Sequence, residues 1–354
     1  MRETARRVFV AALVIGGVIV GALALWKLKL LIAILFLAFI IAAAMRPGVD
    51  ALHRRRVPRG FGVMLHYLVL FALVALLLYF VVPAASDQIR AAVPTSSIEL
   101  EQQAEESEGI KQRVLVGIQR RLERLPSADE IAERAFDPAL EITVTAFEVM
   151  IGIFFTLAAA AYWIFEREKA VELGTSLLPR PKRKKVRDTL DLIDAKLGAY
   201  VRGQLILIAF VATVLSVCFW LLGVPFWLLL GIFAGVVEII PVIGPLAAGA
   251  LAVGVGLTQS VGIAAGAGLA VLLVRLFEDY VVIPRVLGEA VGLSPLTVLV
   301  AVSAVAILFG GFAVLLAIPL AAVAATLVDV LIRHRDPSKE ETPAVLFPAK
   351  DIEA

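Results

Sequence analysis

The sequence contains little charge. Only 18% of its 354 residues are Asp, Glu, Lys or Arg, whereas about 25% is usual in soluble domains. Hydrophobic residues make up 60% of the chain, and its mean hydropathy is +0.93. This composition excludes a disordered chain, a collagen-like chain and an ordinary soluble enzyme. It predicts a polytopic membrane protein.

Cysteine and histidine are also scarce. The one cysteine, Cys218, cannot form an internal disulfide or a cysteine metal cluster, and the three histidines are far apart without metal spacing. The chain has no phosphate-binding loop with its lysine, no G-x-S-x-G motif and no H-E-x-x-H motif. We therefore expect no enzyme activity, no cofactor and no metal, and any active transport would use an ion gradient and not ATP.

Long apolar runs predict the membrane segments. A bilayer core about 30 Å thick needs roughly 20 apolar residues in a helix, and the runs predict spans at 8–25, 30–45, 61–82 and 143–165. The predicted organisation is an N-terminal three-helix membrane region (1–83), an extracytoplasmic helical insert (84–142), the fourth span (143–165), a basic and amphipathic helical segment (166–203), a C-terminal transport core (204–332) and a cytoplasmic tail (333–354).

Proline and glycine divide the apolar residues of the C-terminal core. Several of the resulting pieces are too short to cross a bilayer upright. Broken helices of this kind are tolerated at membrane depth only where they are buried in protein or line a wet cavity. We expect an all-α polytopic membrane protein with about eight membrane segments, including broken or re-entrant helical hairpins, and a small extracytoplasmic helical insert.

Basic residues cluster in four short stretches beside the spans: at the N-terminus, after the second span, at 180–187 and after the last span. Short cytoplasmic loops collect Lys and Arg, so all four are predicted to lie inside. This places both termini in the cytoplasm and the insert outside. Because each stretch adjoins a span, we expect contact with anionic lipid of the inner leaflet and not with nucleic acid.

The first candidate site lies at a helix break in the core. Glu238 precedes Pro241 by three residues, and Gly244 and Pro245 follow. The prolines remove two amide donors and the glycine permits a sharp reversal, which leaves backbone groups free to bind a cation or a polar solute. A carboxylate in lipid is costly, so Glu238 is expected to bind or gate, unless the hairpin tip reaches water at the cytoplasmic interface.

The second candidate site combines Arg275, Glu278, Asp279, Pro284 and Arg285. Spacings of three and four residues place both carboxylates on the helix face of Arg275. A role in transport and a structural ion pair at the inner end of a helix are equally compatible with this pattern.

Several stretches of this sequence resemble one known family. They are LGAYVRGQ at 197–204, EIIPVIGP at 238–245, ED at 278–279, IP at 283–284, Gly288, VGLSPL at 291–296 and AIPLA at 317–321. Their order and spacing are similar to those of the autoinducer-2 exporter (AI-2E) family of bacterial inner-membrane proteins, over about residues 8–332. Three positions depart from the family pattern, because Val242 stands where an aromatic is common, Asp279 where Asn is common and Ser294 where His is common.

The resemblance implies re-entrant hairpins, cytoplasmic termini, a homo-oligomer for which a pentamer is the candidate state, and efflux of small molecules. Some members are tied to autoinducer-2 and others to sodium–proton exchange. The leading hypothesis is a secondary transporter or facilitator that exports a small polar molecule near the helix break, with Arg202 and Gln204 at the inner mouth. The alternatives are a sodium (cation)/proton antiporter that uses Glu238 or Glu278, and a non-transporting membrane scaffold.

Overall fold

The computed structural model describes residues 2–92, 136–240, 243–286 and 293–340. These residues form α-helices joined by short turns, with no strand among them. The helices are α1 (Arg2–Lys27), α2 (Lys29–Arg54), α3 (Arg59–Ala92), α4 (Phe136–Ser176), α5 (Arg180–Leu221), α6 (Trp227–Val237), α7 (Ile243–Leu257), α8 (Val261–Phe277), α9 (Ile283–Val286), α10 (Pro295–Phe309) and α11 (Ala317–Leu331). A π-helical turn, Glu278–Val282, joins α8 to α9, and 3-10 helices occupy Gly311–Leu316 and Pro337–Lys339.

Six helices in the described ranges are long and apolar enough to cross a membrane: Lys29–Arg54, Arg59–Ala84, Val144–Ser176, Arg180–Leu221, Val261–Val286 and Ala313–Leu331. Shorter apolar helices accompany them, among them α6 and α7. The prediction of an all-α polytopic membrane protein is confirmed.

Several helices extend beyond the predicted spans, among them α2, which ends at Arg54, and α4, which runs from Phe136 to Ser176. Pro83 lies inside α3, which continues to Ala92, because an internal proline removes one backbone hydrogen bond and need not end a helix. The amphipathic segment and the apolar segment after it form one helix, the 42-residue α5. Of the predicted insert, residues 93–135 lie outside the described residues.

Helix α5 connects the two halves of the molecule. Its first half packs on α2, where Ile193 and Leu197 contact Ile40 and Ala43. The two backbones come so close that a Cβ on Gly198 would collide with the Ala43 carbonyl oxygen. Its second half packs with α6, α7 and α8. A displacement of α5 would therefore move residues on α2 and in this C-terminal group.

The C-terminal core is a packed group of α5, α6, α7 and α8. Phe219, Leu230, Ala252 and Ala267 are among its buried members. A Cβ on Gly235 would lie 2.6 Å from the Ile208 carbonyl oxygen, and one on Gly231 would collide with Ser216. This G-x-x-x-G pair lets α6 approach the backbone of α5, and this approach positions the end of α6 for the site described next.

Candidate functional site

The break between α6 and α7 is the centre of the candidate site. Helix α6 ends at Val237, a turn follows, and the next helix begins at Ile243. The Gly244 amide donates to the Ile240 carbonyl at 2.9 Å. A Cβ on Gly244 would collide with the Val237 carbonyl oxygen, so the reversal requires glycine for lack of space. Pro241 lies outside the described residues.

Arg275 binds three carboxylates from two helices. Its Nη1 atom lies 2.6 Å from Glu238 Oε1 at the end of α6 and 3.4 Å from Glu278 Oε2. Its Nη2 and Nε atoms contact the two carboxylate oxygens of Asp279 at 2.9 and 3.1 Å. The predicted pairing of Arg275 with Glu278 and Asp279 is therefore present. Arg275, Glu238, Glu278 and Asp279 are called the Arg275 cluster below.

This cluster has more negative than positive groups, and two of its carboxylates are buried. The Glu238 side chain is 7% exposed and that of Glu278 is 2% exposed. Among the residues that the structure describes, Glu278 Oε1 is buried without a hydrogen-bond partner, although buried polar atoms are nearly always paired. A cavity of about 10 Å³ lies beside Glu238, Glu278 and Pro245, close to the volume that one water needs. The site can therefore accept one more small positive or hydrogen-bonding species.

A π-helical turn shapes the cluster at the end of α8. The Ile283 amide donates to the Glu278 carbonyl, five residues back. In a regular α-helix the ring of Pro284 would clash with the carbonyl four residues earlier, so the wider turn accommodates Pro284. Single π-helical turns often occur at functional sites. Pro284 itself is exposed in α9, and its contribution is to the backbone that carries Glu278 and Asp279.

Gln204 and Arg202 face different neighbours. Gln204 is buried, and its Nε2 atom donates to the Glu238 carbonyl at 3.4 Å, which ties α5 to the helix break. Arg202 donates to the Ala44 carbonyl of α2 at 3.2 Å. Residues two apart on a helix do not share a face. The structure therefore brings Gln204 to the Arg275 cluster and places Arg202 against α2.

A second charged group lies where α2, α4 and α5 meet, and no sequence pattern predicted it. The Arg167 side chain is 7% exposed, and its Nε and Nη2 atoms lie 2.6 Å from Asp194 and 2.5 Å from Asp191, respectively. Arg46 also contacts Asp194, at 3.0 Å. Arg46, Arg167, Asp191 and Asp194 are called the Arg167 cluster below. No local pattern could predict it, since Arg46 and Asp194 are 148 residues apart.

The same limit applies to the two candidate sites read from the sequence. Glu238 and Arg275 are 37 residues apart and were predicted in separate groups, but in the folded chain they form one site. In the described part of the chain, no group of three or more His, Cys, Asp or Glu side chains is arranged to hold a metal ion.

Comparisons of the sequence with known proteins identify its family. The profile of the AI-2E family transporter matches residues 11–333. The Putative transport protein YrrI of Bacillus subtilis (strain 168) is 24% identical over 312 residues, covering 85% of this chain and 86% of its own. The Putative transport protein MT0215 of Mycobacterium tuberculosis (strain CDC 1551 / Oshkosh) is 26% identical over 347 residues, covering 94% and 91%. Both similarities extend through the helices that carry the Arg275 cluster.

Proposed function

Because this chain belongs to the AI-2E transporter family, we propose that it exports a small polar molecule, of the autoinducer-2 kind, across the bacterial inner membrane. The protein is a multi-pass membrane transporter. The observation that carries the finer proposal is the Arg275 cluster at the break between α6 and α7. It concentrates a guanidinium, three carboxylates and the Gln204 amide within an otherwise apolar helix group. Such groups can replace the water around a polar solute.

Arg275 is the proposed gate of this path. Its contact with Glu238 joins the end of α6 to α8, and the space beside this contact is about 10 Å³. A solute larger than water requires the two helices to separate. We propose that solute binding competes for Arg275 or Glu238 and releases the contact. Gly244 and Pro245 would then act as the fixed corner, and Gln204 would keep the end of α6 attached to α5.

The proposed setting follows from the distribution of charge. The basic stretches support cytoplasmic termini, and those near Arg183 support contact with anionic lipid of the inner leaflet. We propose a homo-oligomer, with a pentamer as the first state to test. Large apolar side chains are exposed along α2, α3 and α4, and lipid or neighbouring copies would cover them.

The test of export is solute uptake into inverted vesicles that contain the full-length protein. Uptake of autoinducer-2 and of other small polar solutes is compared with that of protein-free vesicles. We expect uptake that falls strongly in Arg275→Gln and persists in Arg285→Gln, which removes an exposed arginine of α9. Equal uptake with and without the protein would reject export of the solutes tested.

A second candidate function, sodium (cation)/proton antiport, is favoured by one observation. Glu278 Oε1 is buried and has no hydrogen-bond partner within the described ranges, and three carboxylates share one arginine. Several like charges in a low-dielectric site are costly, so a proton or a sodium ion bound there would relieve the imbalance. Exchange of one for the other at Glu238 or Glu278 would constitute antiport.

This alternative has a direct test. Vesicles with an imposed pH gradient are exposed to sodium, and the collapse of the gradient is followed with a pH-sensitive dye. Antiport predicts a sodium-dependent collapse that is lost in Glu238→Gln or Glu278→Gln and kept in Glu172→Gln, which changes an exposed glutamate of α4. Unchanged collapse in both site variants would exclude these carboxylates as the exchanging groups.

A further inference from the structure

A second cavity lies between α2, α4 and α5, and none of its lining residues belongs to the Arg275 cluster. Its volume is about 290 Å³, just below the range of about 300–1,000 Å³ that is usual for small-ligand sites. Phe39, Trp163, Val171, Val186 and Leu190 supply most of its apolar lining. The polar members are accounted for, because Arg167 and Asp194 pair with each other and Thr175 donates to the Val171 carbonyl. Because the rest of the lining is apolar, an apolar group fits this open cavity best.

The cavity extends from membrane depth to the level of the headgroups. A helix that rises 1.5 Å per residue crosses a core of about 30 Å in about 20 residues. Measured from Lys29 at the start of α2, Phe39 is then about halfway across, and Arg46 is close to the far edge. Arg167 and Asp194 lie at the level of Arg46, to which Asp194 is bonded. The apolar lining on α4 and α5 therefore continues beyond the edge of the hydrocarbon core into the headgroup region.

The end of the cavity at the level of the headgroups is basic and partly apolar. Arg183 and Arg187 are exposed and precede Val186 and Leu190 by three residues each, on the same side of α5. The Arg183 guanidinium donates to the carbonyls of Ser176 and Leu178 at 2.9 Å each, which holds its positive charge at the rim.

On the α4 side of the rim, Leu173 is 72% exposed and Leu177 is 83% exposed. The acidic groups nearby are partly neutralised, because Asp194 and Asp191 pair with Arg167, while Glu172 is an exposed carboxylate of α4. The rim therefore combines positive charge with apolar surface, next to an apolar cavity.

We infer that this cavity is a binding site for one anionic phospholipid. An acyl chain lies along Phe39 and Trp163, and the headgroup phosphate is bound by Arg183 and Arg187. A phosphate suits this rim because the exposed Arg187 guanidinium can bind it with paired hydrogen bonds, while Arg183, whose Nε and Nη2 donate to carbonyls, adds positive charge and its remaining donors. The site goes beyond the general surface attraction proposed above, since it specifies one lipid, its position and the residues that hold each end. It does not depend on which solute is transported.

Gly174 offers a way to fill the cavity without disturbing the helices. It lines the cavity, and a Cβ built on it meets nothing within 4 Å. Gly174→Leu would project a side chain into the space of the acyl chain, and leucine favours helix more than glycine does. Gly152→Leu is the matched control, because Gly152 lies on the same helix, has equally open surroundings and does not line the cavity.

The experiment measures lipid retention by the full-length protein in nanodiscs of phosphatidylcholine with a minor fraction of phosphatidylglycerol. After release into mild detergent, bound lipid is counted by native mass spectrometry. We expect the wild type and Gly152→Leu to retain phosphatidylglycerol over phosphatidylcholine. Gly174→Leu should retain about tenfold less, since several acyl methylene groups lose their contacts. Arg187→Gln should reduce the preference for phosphatidylglycerol while the total bound lipid changes less.

Thermal unfolding in phosphatidylcholine alone separates loss of lipid from loss of fold. Gly174→Leu should unfold at or above the wild-type temperature there, and phosphatidylglycerol should stabilise the wild type but not this variant. Equal lipid retention by Gly174→Leu and the wild type would overturn the inference. A wild type that shows no preference for the anionic lipid would have the same consequence.

Discussion

The two charged clusters of this transporter differ in how their buried members are paired. In the Arg167 cluster, the buried Arg167 and Asp194 pair with each other, and Asp194 is bound by both arginines; Asp191 and Asp50 add exposed contacts to Arg167 and Arg46. In the Arg275 cluster, one arginine serves three carboxylates, and one oxygen of the buried Glu278 has no partner among the described residues. In the first arrangement, each buried charge is paired. The Arg275 cluster has excess negative charge and this unpaired Glu278 oxygen, and a proton, a cation or a solute can bind there.

From this difference we expect the Arg167 cluster to contribute to stability and the Arg275 cluster to contribute to transport. A buried ion pair that is fully matched holds helices together in one arrangement, and removing one member leaves an uncompensated charge. We expect a mismatched cluster at a helix break to gain a second low-energy arrangement when a ligand supplies the missing charge. We therefore expect substitutions in the Arg167 cluster to change folding alone, and those in the Arg275 cluster to change transport as well.

The largest effect is expected for Arg275→Gln. It leaves Glu238 and Glu278 buried without their cation, and we expect the free energy of unfolding to fall by about 3–5 kcal/mol. Transport should also be lost per folded molecule. Thermal unfolding in detergent and vesicle uptake measure the two effects, with Arg285→Gln as control. Wild-type transport in the variant would remove Arg275 from the proposed gate.

Arg167→Gln should be less costly and should spare transport. Asp194 keeps its contact with Arg46, so the expected loss of unfolding free energy is about 2–3 kcal/mol. The matched control is Lys169→Gln on the same helix, whose pair with Glu166 is exposed and should contribute less than about 1 kcal/mol. Uptake is normalised to folded protein. A specific loss of uptake would contradict the division of roles between the clusters.

Gly244→Ala tests the corner that carries the Arg275 cluster. The added methyl would collide with the Val237 carbonyl oxygen, and we expect a cost of about 1–3 kcal/mol together with reduced transport. Gly249→Ala on the same helix is the control, since its Cβ would meet Val271 Cγ1 at 3.5 Å, an ordinary contact. Similar behaviour of the two variants in unfolding and uptake would show that the turn has room to adjust.

The smallest effect on stability is expected for Glu278→Gln. The side chain keeps its shape, and one of three carboxylate charges around Arg275 is removed. The free energy of unfolding should stay within about 1 kcal/mol of the wild type, whereas Asp194→Asn in the Arg167 cluster should lose more. Thermal unfolding of both variants makes the comparison. If Glu278→Gln is the less stable of the two, the Arg275 cluster is not over-supplied with negative charge.

Much of the Arg275 cluster was accessible from the sequence. Arg275, Glu278 and Asp279 share a helix face because they are three and four residues apart, and the break at Gly244 was visible from its prolines and glycine. Gln204 was identified only through the family resemblance, and its contact with the Glu238 carbonyl comes from the crossing of α5 and α6. The Arg167 cluster was missed, because its members lie on three helices far apart in the chain.

Hydropathy, proline and glycine positions and basic stretches are local quantities, and by themselves they determined that this chain is a helical membrane protein with its few charges at helix breaks and ends. Only the tertiary structure decided which of those charges meet. The reason is the close approach of α6 to α5 at Gly231 and Gly235, which depends on residues distant in sequence. That approach positions the end of α6, and the packing of α7 and α8 in the same core brings Arg275 to Glu238, which makes two separate sequence features into one site.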